Sequence, residues 1–275
     1  MGVTHALSGL ALFLVLVAFV PDFVAWAGWT TPAVIALGAF IVSGAALIPD
    51  LDNSVSTAKN SLGVLGYGLS IVFRGSSRFV QMLFRTRRDD SDPDPHRGFW
   101  HTIPAALILG GLTWLATGIT KTITLPFVGE VTLGWVGALV IAYISIQLSF
   151  AGLFSKIIKK VLKGSKSFEA ISVGVAIIAT VAIFWSIPHD QSFWWLSVAV
   201  TVGVITHILG DAFTTAGVPL LFPLSAVLKG KFWWTTRFLP IKAGGTVENY
   251  VFLPIFAIVS VVSLFWILAG PSLTK

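Results

Sequence analysis

The sequence predicts an all-α, polytopic integral membrane protein that forms a single membrane-embedded domain over residues 1–275. Three observations carry this reading. Of 275 residues, 55% are hydrophobic and 11% charged, and the mean hydropathy is +0.88. Soluble domains carry about 25% charged residues. The apolar residues fall into seven runs, each near the roughly 20 residues that cross about 30 Å of hydrocarbon. The basic residues sort to one side of those runs. Such a composition argues against a soluble globular domain, a disordered chain and a nucleic-acid partner.

The runs are Ala6–Val24, Thr31–Pro49, His101–Ile119, Leu133–Phe154, Glu169–Ile187, Phe193–Phe213 and Asn249–Ala269. Pro21 and Asp22 interrupt the first, which lacks the basic start and small-residue cleavage site of a signal peptide. Seven crossings put the N-terminus and three connections (second to third, fourth to fifth, sixth to seventh) on one face. That face holds 16 of the 18 Lys and Arg residues, and only Lys121 and Lys275 fall on the other. By the positive-inside rule the N-terminus is cytoplasmic and the C-terminus outside. Trp26, Trp29, Trp135, Trp194 and Trp195 read as interfacial anchors on the outer side. The second-to-third connection carries a cytoplasmic insertion, residues 53–95. Within it Leu62–Phe84, apolar and Gly-rich at its start, reads as an interfacial or re-entrant segment. Residues 155–168 read as a basic cytoplasmic loop.

The reactive inventory is small. Without cysteine there are no disulfides and no thiolate ligands, so any metal is held by His and carboxylates. Four of the five His residues and at least four of the twelve acids fall at helix ends on the basic face. They are His5, Asp50, Asp52, His96, His101, His207, Asp211 and Glu248. His207 and Asp211, four apart on one helix, share a face and can reach one ion or simply pair with each other. Ionisable groups in a span cost roughly 2.5–3.5 kcal/mol on insertion scales, which marks them as functional candidates. Asp50 and Asp52 project to the same side if extended, and a divalent cation relieves their repulsion. The competing reading is a solvated helix end. His96 and His101 flank Arg97, which can hold an anionic oxygen or cap the loop. Glu248 means little by itself.

Eight N/O candidates exceed the four to six that one ion takes, which suggests two metals. Mixed imidazole and carboxylate donors suit Zn²⁺, Mn²⁺ or Fe²⁺ better than Ca²⁺. His189 and Asp190 read as solvated loop residues. Asp89, Asp90, Asp92 and Asp94, beside Arg85, Arg87 and Arg88, read as a surface charge cluster. No Ser nucleophile motif, phosphate-binding loop or dinucleotide fingerprint is present.

Five strings resemble the bacterial and archaeal family of inner-membrane metal-dependent hydrolases, some labelled LexA-binding membrane-associated hydrolases. They are Thr4-His5 with Gly9, Pro49-Asp50-Leu51-Asp52, His96-Arg97-Gly98 followed by His101, His207-Ile-Leu-Gly-Asp211 with Thr214 and Gly217, and Gly245-Thr-Val-Glu248. They run in the family order over nearly the whole chain. Trp100-His101-Thr102 stands where the family more usually has Thr-His-Ser, and the Asn53–Pro95 insertion is atypical. The resemblance implies metal-dependent hydrolysis in a plasma (inner) membrane.

The expected function is therefore a hydrolase at the cytoplasmic interface that uses one or two divalent ions, Zn²⁺ or Mn²⁺ foremost. His5, Asp50, Asp52, His96, His101, His207 and Asp211 are the expected ligands. Glu248 is a further ligand or the general base, and Arg97 orients an anionic group. A lipid-linked phosphoester is the favoured substrate, an ester the next, with membrane lipids as surroundings. Two rivals stand beside it. A divalent-metal transporter would place ionisable groups near the midplane or on both faces. A non-catalytic scaffold would bind a cytoplasmic partner through the basic loops.

Overall fold

The structure is a computed structural model that describes residues 2–53, 56–84, 97–126, 128–162, 165–187, 192–222, 238–239 and 241–269. It is a bundle of helices with one short hairpin. The long elements are α1 (Gly2–Phe19), α3 (Pro32–Ala45), α6 (Ile103–Thr117), α7 (Leu133–Leu162), α8 (Ser165–Trp185), α9 (Trp195–Ala212) and α10 (Leu253–Ala269). Among the described residues, six helical segments are long and apolar enough to cross a membrane. The seventh apolar helix, α6, has 15 residues.

Local chemistry explains the boundaries. Pro21 opens a separate short helix, α2 (Pro21–Trp26), so the first apolar run is split as its proline demands. Thr31 and Thr102 cap α3 and α6 with their hydroxyls, each followed by a proline in the first turn. The second run does not stay helical to its end. After Ala45 the chain turns, and Pro49–Asp52 forms a 3-10 turn, which delivers both acids off the helix axis.

Two sequence-based expectations are corrected. Trp29, Trp135 and Trp195 are buried core residues, not interfacial anchors. Trp29 packs on Phe13 and Phe23, and Trp135 on Phe184, so aromatic packing outweighs the interface. Trp26 is exposed. Residues 155–162 are not loop but the last turns of the 30-residue α7, and α8 already begins at Ser165. Between α6 and α7, in a segment without a sequence-based expectation, Thr122–Leu125 and Gly129–Thr132 pair as an antiparallel hairpin (β1, β2). The period-2 alternation of TIT and EVT is too short to stand out beside the apolar runs.

The insertion contains α4 (Thr57–Ser61) and the 22-residue α5 (Gly63–Phe84). α5 turns Gly66, Ser70, Phe73 and Ser77 inward and exposes Val64, Tyr67, Val72, Phe79 and Met82. Apart from Phe73, small residues thus face protein while large apolar ones face out, the inverse of a soluble helix. Trp100 anchors α5, with its indole Nε1 donating to the Phe73 carbonyl at 2.9 Å and its ring stacked on Phe73.

Candidate metal centre

The site is assembled where α1, α3 and α9 approach one another. A Cβ on Gly9 of α1 would lie 2.9 Å from the Val42 carbonyl, and one on Gly203 of α9 only 2.5 Å from that same oxygen. Two glycines therefore let two helices close on one carbonyl of α3. One turn further toward the site face, His5 follows from Gly9 and His207 from Gly203. Their rings stack with centroids 4.0 Å apart. His101 arrives on the 3-10 turn Phe99–His101, and its ring meets His207 edge-on at 5.0 Å.

Asp211 is the hub. Its Oδ1 lies 3.3 Å from His5 Nε2, and its Oδ2 lies 3.6 Å from His101 Nε2 and 3.7 Å from His207 Nε2. His207 Nε2 is also 3.9 Å from Asp50 Oδ1, and Asp52 Oδ2 stands 3.8 Å from His101 Nδ1. His5, Asp52, His101, His207 and Asp211 are all buried, and Asp50 is partly so. Two triads have donor atoms within 4.8 Å of one another: His5, His207 and Asp211, and Asp50, His101 and His207. His96 lies outside the described residues, as do His189, Asp190 and the Asp89–Asp94 cluster.

The tautomer of His207 follows from its neighbour. Its Nδ1 is 2.7 Å from the Ala46 carbonyl, which only accepts, so Nδ1 carries the proton and Nε2 presents a lone pair. That Nε2 has no hydrogen-bond partner among the described residues. Burying an imidazole nitrogen in this way is costly unless something binds it. The charges ask for the same occupant. With neutral imidazoles, Asp50, Asp52 and Asp211 set against the Arg97 guanidinium leave two negative charges. The donor spacing also fits, since ligand distances of about 2.0–2.2 Å set tetrahedral donors about 3.3–3.6 Å apart. The described His and Asp residues can hold a metal ion. Because one nitrogen binds one ion, His207 can serve only one of the two triads at a time.

Arg97 supports the centre from behind. Its Nε lies 3.4 Å from Asp211 Oδ2, and its Nη2 donates to Oδ1 of the same carboxylate at 3.4 Å. Its Nη1 donates to Thr214 Oγ1 and to the Gly217 carbonyl at 3.1 Å. Thr214 in turn donates to the Asp211 carbonyl at 2.7 Å, and Gly217 adopts φ +66°. The spacing from Asp211 to Thr214 to Gly217 thus has a physical reading, a turn that grips the arginine. Thr102, at the position where the family more often has Ser, accepts from Ala105 N as a helix cap.

Glu248 sits at the start of a π-helical turn, Glu248–Phe252, that leads into α10. It is buried, and it belongs to neither triad. Thr4 Oγ1 donates to its Oε1 at 2.7 Å and the Gly244 amide to its Oε2 at 2.6 Å. It therefore ties α10 to the residue preceding His5. Sequence reasoning gave no role to Thr4, Thr214 or the Ala46 carbonyl. For the carbonyl, no side-chain signal exists.

The fold and site define a multi-pass helical membrane protein with a buried, one-sided His/Asp cluster. The chain belongs to the YdjM inner membrane protein family, whose model matches residues 1–149 and 170–270. This agrees with the resemblance to inner-membrane hydrolases carried by the five strings. No curated protein and no solved structure matches the chain.

Proposed function

We propose that the protein is a metal-dependent hydrolase working at the cytoplasmic interface of the membrane, on a lipid-linked phosphoester first and a carboxylic ester next. The observation that carries this is the buried His207 Nε2, aimed at Asp50 and Asp211 with its tautomer held by Ala46. His5, Asp50, His101, His207 and Asp211 would hold one or two divalent ions, with Zn²⁺ or Mn²⁺ best suited to this donor set. Such an ion supplies Lewis acidity and brings the pKa of water to about 7. Asp52 stands 3.8 Å from the far nitrogen of His101, on the side where a carboxylate that orients a ligating ring is placed. Arg97 positions Asp211 and steadies its charge. Glu248 lines the same cavity as His5, and we assign it the role of general base.

The transporter reading is weaker because the polar groups gather at one end of the bundle. The test is hydrolysis of phosphatidic acid and related phosphoesters by purified protein in mixed micelles. Turnover that needs added Zn²⁺ or Mn²⁺ and disappears in His207→Ala supports the reading. Metal-independent turnover, or equal turnover by the variant, overturns it.

A further inference from the structure

Beside the His/Asp cluster lies a cavity of about 520 Å³ between α1, α9 and α10. Its chemistry changes along its length. One end is lined by His5, Thr214, Lys242 and Glu248, the other by Val15 and Val259. From His5 to Val15 the α1 axis advances about 15 Å, half the hydrocarbon thickness of a bilayer. α10 packs chiefly on α1, and the exposed Leu209 of α9, Phe213 just after that helix and Ile255 of α10 form the sides. The cavity therefore begins among groups that hold charge and ends among groups that repel water.

We propose that this cavity seats one hydrocarbon chain of an anionic membrane phospholipid, with the head group at the Lys242 end beside His5. The proposal rests on the hydrolase reading only for what happens to the lipid afterwards, not for binding. The apolar end offers water no partners, so water does not fill it. A soluble metabolite would leave it empty as well. A lipid chain restores the missing van der Waals contacts and needs no transfer from water, since it comes from surroundings as apolar as the cavity wall. Lys242, exposed at the mouth, supplies a compact positive charge for a phosphate. A lipid so placed brings its phosphoester to the polar end while its chain stays at membrane depth.

The test is photo-cross-linking in vesicles of phosphatidylethanolamine and phosphatidylglycerol. These would contain trace phosphatidylglycerol with a diazirine at the end of one acyl chain. The expected label falls on the peptides around Val15 and Val259, in excess over the exposed apolar positions Ile178 and Trp185 of α8. Ala11→Phe and Val259→Trp, filling the cavity from two different helices, should each abolish the cavity label and keep the α8 label, which reports folding. A phosphatidylcholine probe should label the cavity less than phosphatidylglycerol, and Lys242→Glu should remove that preference. Uniform labelling of cavity and α8, or a cavity label that survives both filling variants, overturns the proposal. So does equal labelling by the two probes in the unaltered protein. Metal analysis of the labelled samples separates the two readings. A protein that takes up no metal after equilibration with Zn²⁺ or Mn²⁺ yet still labels the cavity defeats the hydrolase reading alone, and a metal-bearing protein without the label defeats this one alone.

Discussion

His207 Nδ1 lies 2.7 Å from the carbonyl oxygen of Ala46, so a backbone group at the end of one helix dictates which nitrogen of a histidine on another faces the site. That carbonyl is available because α3 stops at Ala45 and the following turn leaves it without a helical partner. The protein thus turns an ordinary feature of helix ends into the orientation of a ligand. His207→Gln, which lacks a ring nitrogen at the Nε2 position, should lower Zn²⁺ or Mn²⁺ affinity in a competition titration while leaving the helical circular dichroism unchanged.

The close approach of α1, α3 and α9 gives a stability prediction. Gly203→Ala places a methyl carbon 2.5 Å from the Val42 carbonyl, and α9 must shift to relieve it. Overpacking of this kind costs about 1–3 kcal/mol. Gly111→Ala is the control, because nothing lies within 4 Å of its Cβ and helix propensity favours alanine. Thermal unfolding in detergent should show a lower Tm for Gly203→Ala and an equal or higher one for Gly111→Ala. Equal losses would mean that the shared carbonyl contact does not limit the packing.

Arg97→Lys keeps the charge and loses the fork. A lysine cannot span Asp211, Thr214 and the Gly217 carbonyl together. Outer-shell losses typically reduce metal affinity about 10–100-fold. Metal titration of Arg97→Lys should fall in that range, well short of the complete loss expected for Asp211→Ala. An unchanged affinity would show that the clamp is not needed to hold Asp211.

Glu248→Gln separates proton transfer from scaffolding. A glutamine can keep its carbonyl oxygen as acceptor for the Gly244 amide and turn its amide nitrogen to donate to Thr4 Oγ1, so α10 stays tied to α1. If Glu248 is the base, hydrolysis falls about 10²–10⁴-fold with metal content unchanged. Retained turnover in Glu248→Gln, with loss in Glu248→Ala, would assign it a positioning role alone.

Orientation can be read without background, since the chain contains no cysteine. Lys121 precedes α7 beside the hairpin, and Lys156 lies near the other end of α7; both are exposed. In intact cells a membrane-impermeant maleimide should label Lys121→Cys and spare Lys156→Cys until lysis. The reverse pattern would invert the topology.

Much of this was legible in the sequence because charge is scarce in the chain. Seven apolar runs and the one-sided basic residues gave the helical membrane architecture, and His5, Asp50, Asp52, His101, His207 and Asp211 were singled out before their convergence was visible. What stayed hidden depends on packing or on backbone. Nothing in the composition distinguishes the buried Trp29 and Trp195 from the exposed Trp26, because all three lie near helix ends. The Ala46 carbonyl has no letter of its own. Gly9 belonged to a recognisable string, yet Gly203 shows its purpose only once Val42 is seen between them. The roles of Thr214 and Gly217 needed Arg97, over a hundred residues away, to be placed on their turn.

The central claim is that the buried His/Asp cluster holds a divalent ion, and elemental analysis of detergent-purified protein tests it most directly. Wild type equilibrated with Zn²⁺ or Mn²⁺ and then freed of excess should retain about one or two equivalents per chain. Asp211→Ala and His101→Ala, purified alongside, should retain far less. A wild-type protein that stays metal-free after saturation would contradict the account.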